Sequence, residues 1–153
     1  MQPLPSIATL AEQIRSGDLN PRDLIETCLA RIEETEPKIH AWVALDPDRV
    51  RQEADILAKE ASNGSARGPL HGVPIGVKDI VFTRDYPTRG GSEFLEDHVP
   101  DYDAAVVERL RDAGAIILGK TVTTEFAGFD PAETRNPWNT EHTPGGSSSG
   151  SAA

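Results

Sequence analysis

The fold is decided by the stretch Gly72-Val73-Pro74-Ile75-Gly76-Val77-Lys78-Asp79-Ile80. Its alternation of branched apolar residues with glycine and proline predicts a β-strand. Because alternate side chains of a strand share a face, Lys78 lies on a nearly bare face with Gly76 and Ile80. Glycine in a strand often marks the close approach of another backbone, so we expect a Gly/Ser loop to pack against this face.

The residues after this strand predict a helix and a second strand. The helix covers Ala104 to Leu110 and is closed by Gly114, and the run Ala115-Ile116-Ile117-Leu118 is apolar throughout, as in a buried strand. The order helix, strand, helix, strand indicates an α/β domain. After Phe129 the chain is loop-like until Ser151-Ala152-Ala153, which resembles the first turn of a helix.

The first sixty residues predict three helices. The apolar stripe of the first helix stops at Gly17. Asn20-Pro21 then supplies an N-cap and a first-turn proline for a second helix, which we expect to run until Pro37. Asp46-Pro47 repeats the same start signal for the third helix. The short apolar run Trp42-Val43-Ala44-Leu45 between them is either a strand or an extended linker.

Composition limits the classes of function. The chain of 153 residues fits one domain, and its net charge of −10 disfavours nucleic-acid binding through a basic surface. The start has neither the basic nor the apolar region of a leader peptide, and no eighteen apolar residues run together, so we expect a soluble, cytoplasmic protein without membrane contact. The lone cysteine, Cys28, lies among apolar residues at helical spacing, which predicts core packing and neither a disulfide nor a metal site.

Small hydroxyl side chains are concentrated in Pro144-Gly145-Gly146-Ser147-Ser148-Ser149-Gly150-Ser151-Ala152-Ala153, here called the Gly/Ser segment. A solvated, flexible tail is one interpretation. A phosphate-binding loop fails because the G-x-x-x-x-G-K-[ST] spacing is missing. Residues 146–150 match the G-x-S-x-G nucleophile elbow around Ser148. The elbow, however, needs a strand directly before the serine, and residues 139–144 predict none.

Lys78 has two interpretations. It is either a solvated lysine at a strand end or paired with Asp79, which agrees with the usual exposure of lysines. Pairing is weakened because the alternation sends the two side chains to opposite faces. In the second interpretation Lys78 is a neutral base in a dry pocket. It then accepts a proton from one serine, and that serine accepts a proton from a second, nucleophilic serine during amide hydrolysis.

Three separated motifs carry a resemblance to a known family. They are residues 72–79, Arg135-Asn136-Pro137-Trp138-Asn139, and the Gly/Ser segment. Together, in this order, they resemble the amidase signature family over most of the chain from Gly68 onward. The resemblance implies an α/β/α fold with a mixed sheet. Residues 1–153 are then the N-terminal portion of a single amidase domain, with a helical lead-in over 1–66 and the start of the α/β core over 67–153.

The resemblance also implies roles for individual residues. Members of the family use a Ser-cisSer-Lys triad, in which Lys78 would be the general base and Ser147 the bridging serine, joined to Gly146 by a cis peptide bond. Gly145, Gly146 and Ser148 would support the site or bind substrate, and we expect Ser149 and Ser151 to cap the next helix. The family's nucleophile lies roughly two dozen residues beyond the bridging serine, so the resemblance places no nucleophile within this chain.

Several functions stay open within the family. Hydrolysis of a small carboxamide through an acyl-enzyme is the first, because Lys120-Thr121-Val122-Thr123-Thr124-Glu125-Phe126-Ala127 looks more like the stand-alone amidases, malonamidase among them. The A subunit of glutamine-dependent tRNA amidotransferases is an alternative, and so is a non-catalytic truncated fragment or scaffold. We expect no cofactor and no directly bound nucleic acid. The expected partners are a small-molecule amide and either further copies of the chain or a complementing C-terminal part.

Overall fold

A computed structural model describes residues 4–153. The described chain contains five helices, three strands and two short 3₁₀ turns. They are α1 (Ile7–Ser16), α2 (Pro21–Ile39), β1 (Trp42–Leu45), α3 (Pro47–Ser62), β2 (Pro74–Lys78), the turn Glu93–Leu95, α4 (Ala105–Asp112), β3 (Ile116–Thr121), the turn Glu125–Ala127 and α5 (Ser149–Ala152). The first three residues of the start, on which the expectation of no leader peptide partly rests, lie outside the described range. No helix in residues 4–153 is long and apolar enough to cross a membrane.

The three strands form one mixed sheet in the order β1-β3-β2. The central strand β3 runs parallel to β2 and antiparallel to β1. All six residues of β3 are buried. The apolar run predicts this for Ile116 to Leu118, and the buried strand continues beyond it to Thr121. The sheet and the helices around it confirm the α/β class, and the parallel pair brings the carboxyl ends of β2 and β3 together.

The predicted starts of the second and third helices are confirmed by side-chain caps. Asn20 accepts a hydrogen bond from the Arg22 backbone, and Asp46 accepts one from the Arg49 backbone. These side chains satisfy backbone donors that have no partner inside the helix. The first helix ends at Gly17, whose φ of 85° lies in the left-handed region that glycine adopts easily.

The predicted end of α2 at Pro37 is wrong, because the helix continues to Ile39. Proline lacks only one helical donor, and here that loss falls in the last turn. The carboxylate of Glu36 accepts hydrogen bonds from the Ala41 and Trp42 backbones at 3.0 and 2.9 Å. These bonds stabilise the turn beyond the proline and direct the chain into β1.

The run Trp42–Leu45 is a strand, not a linker. Because it pairs with β3, the sheet takes one strand from the predicted helical lead-in and two from residues 67–153. The largest core cluster likewise spans both parts of the chain; it contains Ile25, Leu29, Val50, Ala54, Leu57, Ile116 and Leu118. Cys28 is partly buried against this cluster, as predicted. The proposed division at residues 66 and 67 falls in the loop between α3 and β2.

Candidate active site

The candidate site lies where the carboxyl ends of β2 and β3 meet the Gly/Ser segment. Lys78 is the last residue of β2, and its side chain is half-buried. Its Nζ donates a hydrogen bond to Ser147 Oγ at 2.6 Å, across 69 positions of sequence. Asp79 is fully buried on the other face and pairs with Lys120. The structure thus agrees with the predicted alternation and pairs Lys78 with a serine.

Ser147 is held by its backbone as well as by its side chain. The peptide bond between Gly146 and Ser147 is cis, as the resemblance implies. The carbonyl of Ser147 accepts a hydrogen bond from the Thr124 backbone at 3.0 Å. The hydroxyl of Ser147 is therefore presented to Lys78 by a segment fixed to the chain that follows β3.

The Gly/Ser segment also packs against the end of β3. The Gly150 backbone donates to the Val122 carbonyl at 3.0 Å, and the hydroxyls of Ser151 and Thr121 lie 3.0 Å apart. A Cβ atom on Gly150 would lie 2.6 Å from the Val122 nitrogen and still closer to the Ala41 carbonyl oxygen. Only glycine fits here, since real Cβ atoms do not approach backbone atoms so closely.

The Gly/Ser segment meets the predicted face of β2 at Lys78, but not at Gly76. The space in front of Gly76 is filled by the side chains of Trp42 and Thr121, which would lie 2.9 and 3.0 Å from an added Cβ. The close backbone approach of the segment is at Gly150, beside the end of β3. The alternation in β2 predicted an uncrowded face. It could not predict that Trp42 covers Gly76, because the position of Trp42 depends on the pairing of β1 with β3.

The expected capping by Ser149 and Ser151 is also wrong. Ser149 is buried and donates its hydroxyl to the Gly145 carbonyl at 2.9 Å, which closes the loop around Ser147. Ser151 contacts Thr121. The N-cap of α5 is Ser148, and within residues 4–153 its hydroxyl makes no hydrogen bond. The predicted supporting bond of Ser148 is therefore not formed among these residues.

The elbow-like pattern around Ser148 lacks the structural context of a nucleophile elbow. In the described chain no strand lies between residues 140 and 146, and α5 begins only at Ser149. A short bridge between Asn136 and Asn139 is the nearest extended pairing. The prediction that no strand directly precedes Ser148 is confirmed.

Sequence reasoning missed the buried pair Asp79–Lys120 beneath the site. Their side chains are 1% and 0% exposed, and Lys120 Nζ lies 3.1 Å from Asp79 Oδ1. Lys120 Nζ also donates to Thr88 Oγ1 at 2.7 Å and to the Pro87 carbonyl at 3.2 Å. Burial raises the pKa of the Asp79 carboxyl, against the attraction of Lys120, and lowers the pKa of the Lys120 ammonium. The available signal was a lysine two residues beyond the apolar run that ends at Leu118.

A cavity of about 400 Å³ opens beside Ser147. It is lined by Thr124, Ala127, Gly128, Phe129, Pro131, Thr143, Gly145, Gly146 and Ser147. The wall formed by residues 122–128 is tightly bent, because Phe126 and Ala127 both have positive φ, at 44° and 58°. The Phe126 backbone donates to the Gly90 carbonyl at 2.7 Å, which fixes this bend.

In residues 4–153 there is no group of three or more His, Cys, Asp or Glu residues with a geometry that could hold a metal ion. The chemistry that the site itself offers is proton transfer between an amine and a hydroxyl, next to a small cavity.

The family of the chain follows from its similarity to known proteins. The Amidase family profile matches residues 23–153. The chain is 44% identical over 97% of its length to the A subunit of glutamyl-tRNA(Gln) amidotransferase from Synechococcus sp. (strain WH7803), of which it covers 32%. It is 47% identical, again over 97% of its length, to the protein of the same name from Nitratidesulfovibrio vulgaris (strain DP4), of which it covers 31%.

A solved structure shares the fold. The native peptide amidase from Stenotrophomonas maltophilia superposes with a TM-score of 0.85 at 38% identity, over 95% of this chain and 32% of that one. The chain thus spans about a third of the length of the relatives that it matches. Since the family profile covers most of its residues, the chain belongs to the amidase signature family.

Proposed function

We propose that this chain supplies the base and the bridging serine of an enzyme that hydrolyses the C–N bond of a small carboxamide. The observation that carries the proposal is the 2.6 Å contact between Lys78 Nζ and Ser147 Oγ. The two residues are 69 positions apart in sequence, and Ser147 lines the cavity. A general base must lie within hydrogen-bond distance of the proton that it accepts, whatever its pKa.

The two residues act as a proton relay. With Lys78 neutral, its amine accepts the proton of the Ser147 hydroxyl, and Ser147 in turn accepts the proton of a nucleophilic serine. That serine attacks the amide carbonyl, the C–N bond breaks, and the protonated relay returns a proton to the leaving nitrogen. Water then attacks the acyl-enzyme by the same route. From the family resemblance, the nucleophile is a third serine that follows Ser147 in the full-length protein.

The cavity beside Ser147 supports a small substrate. Its volume of about 400 Å³ lies at the lower end of the range for ligand pockets. Its lining residues include Phe129, Pro131, Gly145 and Gly146, and none of them carries a charge. A lining without charged side chains suits an uncharged amide.

A second candidate is the A subunit of a glutamine-dependent amidotransferase. The observation in its favour is the identity of 44% and 47% to two proteins named as A subunits of glutamyl-tRNA(Gln) amidotransferase. Both candidates use the same relay and differ in the amide that enters the cavity. Steady-state hydrolysis of glutamine and of simple carboxamides by the full-length protein separates them: a preference for glutamine favours the amidotransferase, and a preference for other amides favours the stand-alone enzyme.

The experiment that tests the relay is Lys78→Ala in the full-length protein. We expect kcat for amide hydrolysis to fall by about 10²- to 10⁴-fold, the usual contribution of a general base. The matched control is Lys59→Ala, which removes a lysine in the last turn of α3, remote from the relay, and should leave kcat unchanged. Unchanged activity of the Lys78 variant would eliminate the proposed function.

A further inference from the structure

We infer that Asp79 and Lys120 are positioning residues that hold Lys78 against Ser147. This inference rests on the proposed relay, because it concerns how the relay's geometry is maintained. Neither residue touches the reacting atoms, and both lie at the strand ends that carry the site. Their effect on the reaction would therefore act through Lys78 and Ser147.

The position of Asp79 in the chain restricts Lys78. Asp79 directly follows Lys78, and it is fixed at four points. Its backbone donates to the Thr121 carbonyl at 2.9 Å, and its own carbonyl accepts from the Gly90 backbone at 2.9 Å. One carboxylate oxygen accepts from the Arg89 backbone at 3.1 Å, and the other faces Lys120. A backbone held on both sides at Asp79 leaves little freedom to the Cα of Lys78.

The backbone contacts of Asp79 also extend to Ser147. Gly90, whose backbone donates to Asp79, accepts a hydrogen bond at its own carbonyl from the Phe126 backbone at 2.7 Å. Phe126 belongs to the bent wall that includes Thr124, whose backbone donates to the Ser147 carbonyl at 3.0 Å. A continuous series of backbone contacts thus links the residue beside Lys78 to the backbone of its partner.

A buried ion pair such as Asp79–Lys120 contributes little net stability. Removing two charges from water carries a large desolvation penalty, and apolar residues of similar volume often stabilise a fold equally well or better. Asp79 and Lys120 are both completely buried, and Asp79 Oδ1 receives no well-aligned hydrogen bond from the part of the chain that the structure describes. Stability alone does not account for such a pair. Directional bonds from Lys120 to Thr88 and Pro87 fix one arrangement of the loop, which apolar contacts would not specify.

The test separates stability from activity in the full-length protein. Lys120→Met leaves the Asp79 carboxylate buried without a counter-charge, and we expect a lower melting temperature and a lower kcat. The double variant Asp79→Asn/Lys120→Met removes both charges, while the new amide oxygen can still accept from the Arg89 backbone. We expect its melting temperature to return to within a few degrees of the parent, while kcat stays reduced about 10- to 100-fold with nearly unchanged KM, as for a misplaced catalytic group.

Two further variants make the result decisive. Asp103→Asn weakens another buried ion pair, to Arg111, and is expected to lower the melting temperature without lowering kcat. Thr88→Val removes one acceptor of Lys120 in a side chain of the same shape, and a several-fold loss of kcat at constant KM is expected even where the Lys120 variants do not fold. Recovery of kcat together with the melting temperature in the double variant, or parent-like kcat in Thr88→Val, would overturn the inference. If Lys78→Ala itself is fully active, the proposed function has failed instead.

Discussion

The carboxyl ends of β2 and β3 lie side by side, and each carries a lysine, yet the two lysines have different surroundings. Lys78 is half-buried and contacts a hydroxyl, whereas Lys120 is completely buried and contacts a carboxylate. A neighbouring carboxylate favours the charged form of a lysine, while a neighbouring hydroxyl offers it a partner for proton transfer. The neighbouring groups, not the residue type, therefore distinguish the buried, ion-paired lysine from the candidate base.

The two strand ends also hold the Gly/Ser segment in different ways. The end of β2 reaches it through one side chain, at Ser147. The end of β3 reaches it through the backbone at Gly150 and through the hydroxyl of Thr121. The first contact joins an amine to a hydroxyl, and the second joins backbone groups and two hydroxyls. Because Lys120 on β3 is buried with a charged partner whereas Lys78 is half-buried, we expect the removal of Lys120 to lower both stability and kcat, and the removal of Lys78 to lower kcat with a smaller loss of stability.

The largest expected effect on stability comes from Lys120→Ala. Leaving the Asp79 carboxylate buried and unpaired should lower the free energy of unfolding by about 3–5 kcal/mol. Lys78→Ala, by contrast, removes a half-buried side chain with one hydroxyl partner and should lower it by about 1 kcal/mol. Urea unfolding of both variants of the full-length protein measures the difference. Equal losses would contradict the assignment of separate roles to the two strand ends.

A smaller effect is expected at the Gly/Ser segment. Gly150→Ala inserts a methyl group between the Val122 and Ala41 backbones and should destabilise by about 1–3 kcal/mol, since the backbone must shift. Gly145→Ala is the matched variant: the space around it is open, and only its φ of 96° opposes a side chain, at a cost of roughly 1 kcal/mol. Thermal unfolding ranks the two. A larger loss for Gly145→Ala would show that the contact of Gly150 with β3 is loose.

The smallest effect is expected from a carboxylate remote from both strand ends. Hydrogen bonds from Arg51 and then Arg22 lower the pKa of Glu26 from its ordinary value of 4.5 to about 2. Because the folded-state pKa is depressed, its contribution to stability is complete above about 4.5 and is lost as pH falls towards about 2. Glu26→Gln should therefore flatten the fall in melting temperature over this range. A parallel pH profile for both proteins would show that this exposed cluster contributes nothing.

Much of the architecture could be predicted from the sequence because local signals dictate it. The caps at Asn20 and Asp46 and the terminating Gly17 mark helix ends, and the apolar run after Gly114 marks the central strand. The end of α2 could not be predicted, since Glu36 overrides the proline signal through bonds to residues at the start of β1. Local propensity does not report such contacts.

The candidate site was predictable only in part, for a similar reason. The alternation of side chains on β2 predicted that Lys78 and Asp79 lie on opposite faces. The family motifs predicted that Ser147 lies beside Lys78. The partner of Asp79 was not predictable, because Lys120 meets it through the parallel pairing of β2 with β3. The hydroxyls of Ser149 and Ser151 were assigned to a helix cap, whereas tertiary contacts with Gly145 and Thr121 take them.

Lys78 and Ser147 are proposed to act as one relay. The kcat of the double variant Lys78→Ala/Ser147→Ala in the full-length protein shows whether they do. Residues that act as a unit lose their joint contribution when either is removed. We predict that the double variant has a kcat within about 3-fold of the slower single variant. Losses that multiply, so that the double variant falls by the product of the two single effects, would contradict the account.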